Sequence, residues 1–105
     1  MSASTGDREG SPTRLHVRLY VAGDSPNSAR AAANLRAVIA ELAGARADVE
    51  IVDVLRAPER GLRDGVLVTP MLVRVAPPPE RRILGNLSDR AILLGVLSTQ
   101  EAHDE

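Results

Sequence analysis

The chain has 105 residues, a length suited to one domain, and its 13 basic and 14 acidic side chains leave a net charge of −1, which gives no long-range attraction to nucleic acid or to an anionic membrane. The basic residues are all Arg and are scattered without a basic block, so neither kind of partner is expected. Cysteine is absent, which excludes disulfides, zinc–thiolate sites and thiol catalysis, and no apolar run reaches the length of a membrane span, so a cytoplasmic location is expected. Residues 1–13 are rich in Ser, Gly and charge and read as a disordered tail. Leu15, Val17, Leu19 and Val21 then alternate with His16, Arg18 and Tyr20, which predicts a strand. Ala22-Gly23-Asp24-Ser25-Pro26 breaks it: Ser25 or Asp24 supplies a helix cap, and Pro26 suits the first turn, where no backbone donor is needed. The following helix runs to Ala43, with Ala32, Leu35, Val38, Ile39 and Leu42 on its apolar stripe and Gly44 placed to end it. Val49 to Leu55 reads as a second strand, apolar enough for the centre of a sheet and parallel to the first through a right-handed crossover. Pro58 opens a short helix that Gly61 and Gly65 weaken. Val66 to Val68 leads into Thr69-Pro70, and Met71 to Val75 is a third strand, stopped by Pro77-Pro78-Pro79. Arg81 to Leu84 forms a fourth strand, antiparallel after this turn. Ser88 is a suitable N-cap for a helix over Asp89 to Leu97, yet the same apolar run fits a buried strand, with Leu and Ala favouring helix and Ile, Val and Gly95 opposing it. Residues 98–105 are polar and acidic and are expected to fray, leaving 14–97 as the folded domain.

This order, βαβαββα, is that of an α/β, thioredoxin-like single domain. Redox members of that fold carry Cys-x-x-Cys where the first strand turns into the helix, since the helix N-terminus lowers a thiol pKa. Here the turn reads Ser25-Pro26-Asn27-Ser28, and hydroxyls cannot form a disulfide. Thr69-Pro70 matches the position of the fold's cis-proline. His16 and His103 have no ligand spacing around them, so no metal is expected. Asp53, near the end of its strand, has no nucleophile or metal to work with and is read as a turn or cap residue. Neither a phosphate loop nor a hydrolytic triad is present. No cofactor and no enzymatic activity are expected.

Several strings carry more than the fold. Leu19-Tyr20-Val21-Ala22-Gly23-Asp24-Ser25-Pro26-Asn27-Ser28 closely resembles the signature that follows the first strand in the KaiB family. Val52-Asp53-Val54-Leu55, Thr69-Pro70, Pro77-Pro78-Pro79 with Arg81-Arg82, and Gly85-Asn86-Leu87-Ser88-Asp89-Arg90 follow in that family's order, over about residues 15 to 97. The chain departs from the pattern at Asn86, where Asp is usual, at Gly65, often Lys, and in a slightly shorter C-terminal run. The resemblance implies a regulatory binding protein of a circadian or timing system, which engages a KaiC-like ATPase and modulates its cycle. It implies a KaiA-like protein or a histidine kinase as further partners, and a homo-oligomer, dimer or tetramer, in one state. It also implies two arrangements of one chain: the thioredoxin-like one and a βαββααβ ground state reached by refolding the C-terminal half, with Ser25, Pro26, Thr69, Pro70, Pro77, Pro78, Pro79, Gly85 and Gly95 as structural or switch positions. Arg30, Arg74, Arg81 and Arg82 match basic positions of the family's partner surface, where the Arg fork suits two-point pairing with carboxylates. The other reading is a thioredoxin-fold adaptor, or a detached sensor domain, acting with a histidine kinase or in stress response.

Overall fold

The computed structural model describes residues 15–42 and 47–98; both tails, Gly44 and His103 lie outside the described residues. The elements are β1 (Leu15–Val21), α1 (Pro26–Leu42), β2 (Ala47–Asp53), α2 (Pro58–Arg63), β3 (Met71–Ala76), β4 (Arg81–Leu84) and α3 (Arg90–Leu97). They build one mixed sheet in the order β2-β1-β3-β4, with β2 parallel to β1 and the other pairs antiparallel. The fold is the thioredoxin-like βαβαββα, not the βαββααβ alternative.

The alternation in β1 sorts its side chains between two cores. Leu15, Val17, Leu19 and Val21 meet Leu72 of β3, Ala31, Leu35 and Val38 of α1, and Leu93 and Leu97 of α3. Tyr20, pointing the other way, packs with Val52, Met71 and Val73, beside Val54 and Val66. The sole aromatic of the chain thus centres the smaller core under α2. α1 buries Ser28, Ala31, Leu35 and Val38, so its inward stripe is turned from the expected one: Ala32 and Ile39 lie at its edge, and Leu42 is exposed.

Two expectations are corrected. β2 is an edge strand, begins at Ala47 and ends at Asp53, and leaves Val49 and Ile51 exposed. Its apolar composition suggested a central place, but β3 pairs with the other side of β1 and carries β4 outward, so nothing among the described residues pairs with the free edge of β2. In the C-terminal segment the cap is Asp89, not Ser88: the Asp89 carboxylate accepts a hydrogen bond from the Ile92 amide at 3.2 Å. The ambiguous run is a helix because its winding turns Leu93, Val96 and Leu97 together toward the core. Gly95 faces open space, so no packing contact requires a glycine there. Gly61 of α2 is different: a Cβ there would lie 3.2 Å from Val54 Cγ1, and the bare backbone lets α2 sit down on the chain after β2.

Leu19→Ala or Leu35→Ala, each emptying a fully buried site, should lower stability by about 2–5 kcal/mol. Leu62→Ala, on the exposed side of α2, should change it by no more than about 0.5 kcal/mol. Urea unfolding midpoints of the three variants check this.

Candidate interaction site

The sheet topology brings its loops to one end. β1 and β2 run parallel, so both finish there; β3 starts there, and β4 returns to it. The turns at Ala22–Ser25, Asp53–Leu55, Val68–Pro70 and Gly85–Asp89 therefore share this end with the N-termini of α1 and α3.

Hydrogen bonds hold these loops to one another. The Ser28 amide donates to Ser25 Oγ at 3.3 Å, the Ser25 hydroxyl donates to Ser28 Oγ at 2.8 Å, and Ser28 Oγ accepts from the Ala22 amide at 3.1 Å. Ser25 is thus the cap of α1, with Pro26 as its first residue. Asp53 Oδ1 accepts from the amides of Gly23 and Leu55, both at 3.0 Å, and these bonds hold its carboxyl below its ordinary value. Gly23 has φ +55°, and a Cβ there would come within 3.1 Å of Leu55 Cδ1. The Thr69–Pro70 peptide is cis, and the Pro70 carbonyl accepts from the Gly85 amide at 2.9 Å. Gly85 has φ +104°, and Leu87, unusually for a branched residue, has φ 64° while its side chain is seated in the core. Asn34 Nδ2 donates to the Asn86 carbonyl at 2.9 Å, fastening this last loop to α1. The Ala76–Pro77 and Pro78–Pro79 peptides, also cis, lie at the far end of β3.

Over this hydrogen-bonded base stand aliphatic side chains in water: Leu55, Leu67, Val68, Leu84 and Ile92, with Leu67 88 % exposed. Beside Leu84 and Ile92 opens a shallow cavity of about 150 Å³, floored by Gly85 and Asn86. In sequence Leu55 and Leu84 fall in predicted strands, Leu67 and Val68 in a connecting segment and Ile92 in the ambiguous C-terminal run; the available signal is the apolar pair Leu67-Val68 directly before Thr69-Pro70. Ser25 and Ser28 bond to each other and to backbone, and His16, the one histidine among the described residues, lies at the opposite end of β1. Among the described residues no group of His, Asp and Glu could hold a metal ion. A second, more open concavity of about 390 Å³ lies between α1 and the free edge of β2, lined by Leu35, Arg36, Ile39, Val49 and Ile51.

The four arginines expected at a partner surface take different places in the fold. Arg30 is exposed on α1 near the loop end. Arg81 and Arg82 are exposed on β4 but, as successive strand residues, point to opposite faces of the sheet. Arg82 reaches back to the C-terminus of α2, donating to the Asp64 carbonyl at 2.7 Å while pairing with Glu80 at 2.8 Å. Arg74 is 1 % exposed, inside the protein. Its direction follows from the pleat, which points it with Leu72 toward α3.

A polar network seats α2 on the sheet. The Tyr20 hydroxyl donates to Asp64, Arg18 Nε to Glu50 at 2.9 Å and Arg60 to Glu50 at 3.0 Å. Arg60, then Arg18, hold the Glu50 carboxyl below its ordinary range, and the Tyr20 bond does the same for Asp64. Burial, reinforced by Asp64, pushes the Tyr20 phenol up.

Comparison with known proteins adds the ancestry of this arrangement. The KaiB domain family matches residues 18–99. The chain belongs to the KaiB family. A circadian clock oscillator protein KaiB from Synechococcus sp. (strain RCC307) is 42% identical over 99 residues, covering 90% of this chain and 89% of that one. Another, from Prochlorococcus marinus (strain NATL2A), is 45% identical over 82 residues, covering 76% of each. Among solved structures, the N-terminal domain of Synechococcus elongatus SasA superposes with a TM-score of 0.72 at 17% identity, covering 90% of both chains. Chloroplastic thioredoxin z superposes at 0.67 and 21% identity, covering 90% of this chain and 86% of that one. At such identities the two structures speak for the fold alone. This KaiB-family chain keeps the thioredoxin-like frame while its sequence contains no cysteine.

The carboxyls of Asp53, Asp64 and Glu50 lie below their ordinary values of 3.8, 3.8 and 4.5. Their contribution to stability is therefore fully present above those values and is lost as pH falls through the depressed folded ones. Thermal unfolding midpoints should drop on acidification below about pH 4. The Glu50→Gln, Asp53→Asn, Asp64→Asn triple variant should be less stable at neutral pH and show a flatter acid limb; an unchanged limb would contradict the assignment.

Proposed function

We propose that this KaiB-family chain is a non-enzymatic regulatory binding protein of a circadian or timing system, docking on a KaiC-like ATPase and modulating its phosphorylation and ATPase cycle from the cytoplasm. The observation that carries the reading is the aliphatic rim at the loop end of the sheet. Leu55, Leu67 and Val68 stand exposed on the loops, and Leu84 at the end of β4 beside them, where hydrogen bonds tie Gly23 to Asp53 and Gly85 to Pro70. Exposed aliphatic side chains grouped on a preorganised base mark a docking surface, because covering them releases water while little chain ordering is lost on contact. The names carried by the relatives point to the same class of system. At the turn where redox members place their thiols, Ser25 and Ser28 are engaged in capping α1, which supports a binding role for this end of the sheet. Arg30, exposed beside the rim, supplies a charge for orienting the encounter. A KaiA-like protein or a histidine kinase belongs to the same reading as a further partner.

The test is direct binding to the KaiC-like ATPase of the same organism, with ATP or ADP present. Leu67→Glu combined with Leu84→Glu alters exposed positions only, so folding should be unchanged to within about 0.5 kcal/mol. The dissociation constant should rise at least about tenfold, the scale of losing a central apolar contact. Arg30→Glu should act chiefly on the association rate, with an effect that shrinks as salt rises. Equal affinity for wild type and the double-Glu variant would remove the rim from the interface.

A further inference from the structure

Arg74 is a cation buried inside the protein. Its guanidinium lies between the C-terminal end of α3 and the turn that follows β3: Nη1 donates to the Val96 carbonyl at 2.8 Å and Nη2 to the Pro79 carbonyl at 2.9 Å. Val96 is in the last turn of its helix, where carbonyl groups lack helical partners and carry the negative end of the helix dipole. Removing a guanidinium from water is costly unless its donors are met, and these two bonds meet part of that demand. The residue directly across the ladder is Arg81, a like charge, which adds to that demand.

Both of these acceptors are backbone oxygens. They exist at these places only while the chain at positions 79 and 96 keeps its present path, and a change of side chain there would leave them intact. The N-terminal end of α3 is fastened differently, by an exposed ion pair between Arg90 and Glu41 and by Leu93 in the core.

We infer that Arg74 is a conformational latch, whose buried guanidinium makes the docking of α3 and the seating of the Pro77–Pro79 turn one cooperative event. When α3 leaves the sheet, the guanidinium loses Val96 and turns to water, and the turn loses the donor that anchors Pro79. The inference rests on this geometry and not on the proposed partner, so a failure to bind the ATPase would leave it standing.

Amide hydrogen exchange on the full chain tests it. Arg74→Met keeps the length of the side chain and removes the charge. It should raise exchange about tenfold or more, the scale of a lost charge-assisted hydrogen bond, at residues 93–98 and 80–83 together, while β1 stays protected. Arg74→Lys, which keeps the charge but not the fork, should fall between Met and wild type. Leu93→Ala loosens α3 from its core side and should also raise exchange at 80–83. Arg90→Ala, removing only the exposed pair, should leave 80–83 unchanged. Wild-type exchange in Arg74→Met, or α3 opening in Leu93→Ala with 80–83 still protected, would overturn the latch. Should Arg74→Met not fold, Arg74→Lys and Leu93→Ala decide the question by the same readout.

Discussion

Because β1 is paired along both edges and covered on both faces, every other element takes its position from it. Leu15, Val17, Leu19 and Val21 fill the core beneath α1 and α3, while Tyr20 fills the one beneath α2. The parallel ladder to β2 and the antiparallel ladder to β3 then leave little freedom in where the loops emerge. The Ser25 turn, the Asp53 turn, Thr69–Pro70 and Gly85 converge at one end of the sheet as a consequence of strand direction, and hydrogen bonds between the loops fix them there. Preorganisation of the aliphatic rim thus begins with the alternation of seven residues in β1.

Much of this was legible in the sequence. Period two in β1, the Ser25-Pro26 helix start, the short helix opened by Pro58 and the Arg81–Leu84 strand all appear where local chemistry puts them. Each of these signals is short-range, a matter of side-chain alternation or of a cap. What was not legible depended on neighbours distant in sequence. The place of β2 in the sheet is set by where β3 pairs, and its own apolar residues say nothing about that. Whether 91–97 is helix or strand is decided by the core offered to Leu93, Val96 and Leu97. Asp89 rather than Ser88 caps that helix, a one-residue difference between two good capping side chains.

The arginines show the same division more sharply. In sequence, Arg30, Arg74, Arg81 and Arg82 are equivalent cations; in the fold they have separate fates. Arg82 spans from β4 to the end of α2, Arg74 is enclosed against the end of α3, and Arg30 stays on the surface. Guanidinium groups bonded to backbone carbonyls serve as fasteners between elements, a use suited to Arg because its fork reaches two acceptors at once. With one aromatic in the whole chain, large aromatic anchors are scarce, and polar bonds of this kind join the apolar contacts around α2 and α3. The side chains left exposed at the loop end of the sheet are mainly aliphatic.

The central claim is that the loop end of the sheet is the face this KaiB-family protein presents to a KaiC-like ATPase. The most direct measurement is a hydrogen-exchange footprint of the wild-type chain, free and in complex with that ATPase. Slowed exchange is expected at residues 23–28, 67–69 and 84–89, with residues 47–51 on the free edge of β2 unchanged. Slowed exchange confined to β2 and the facing side of α1, with the loop end exchanging as in the free chain, would contradict it.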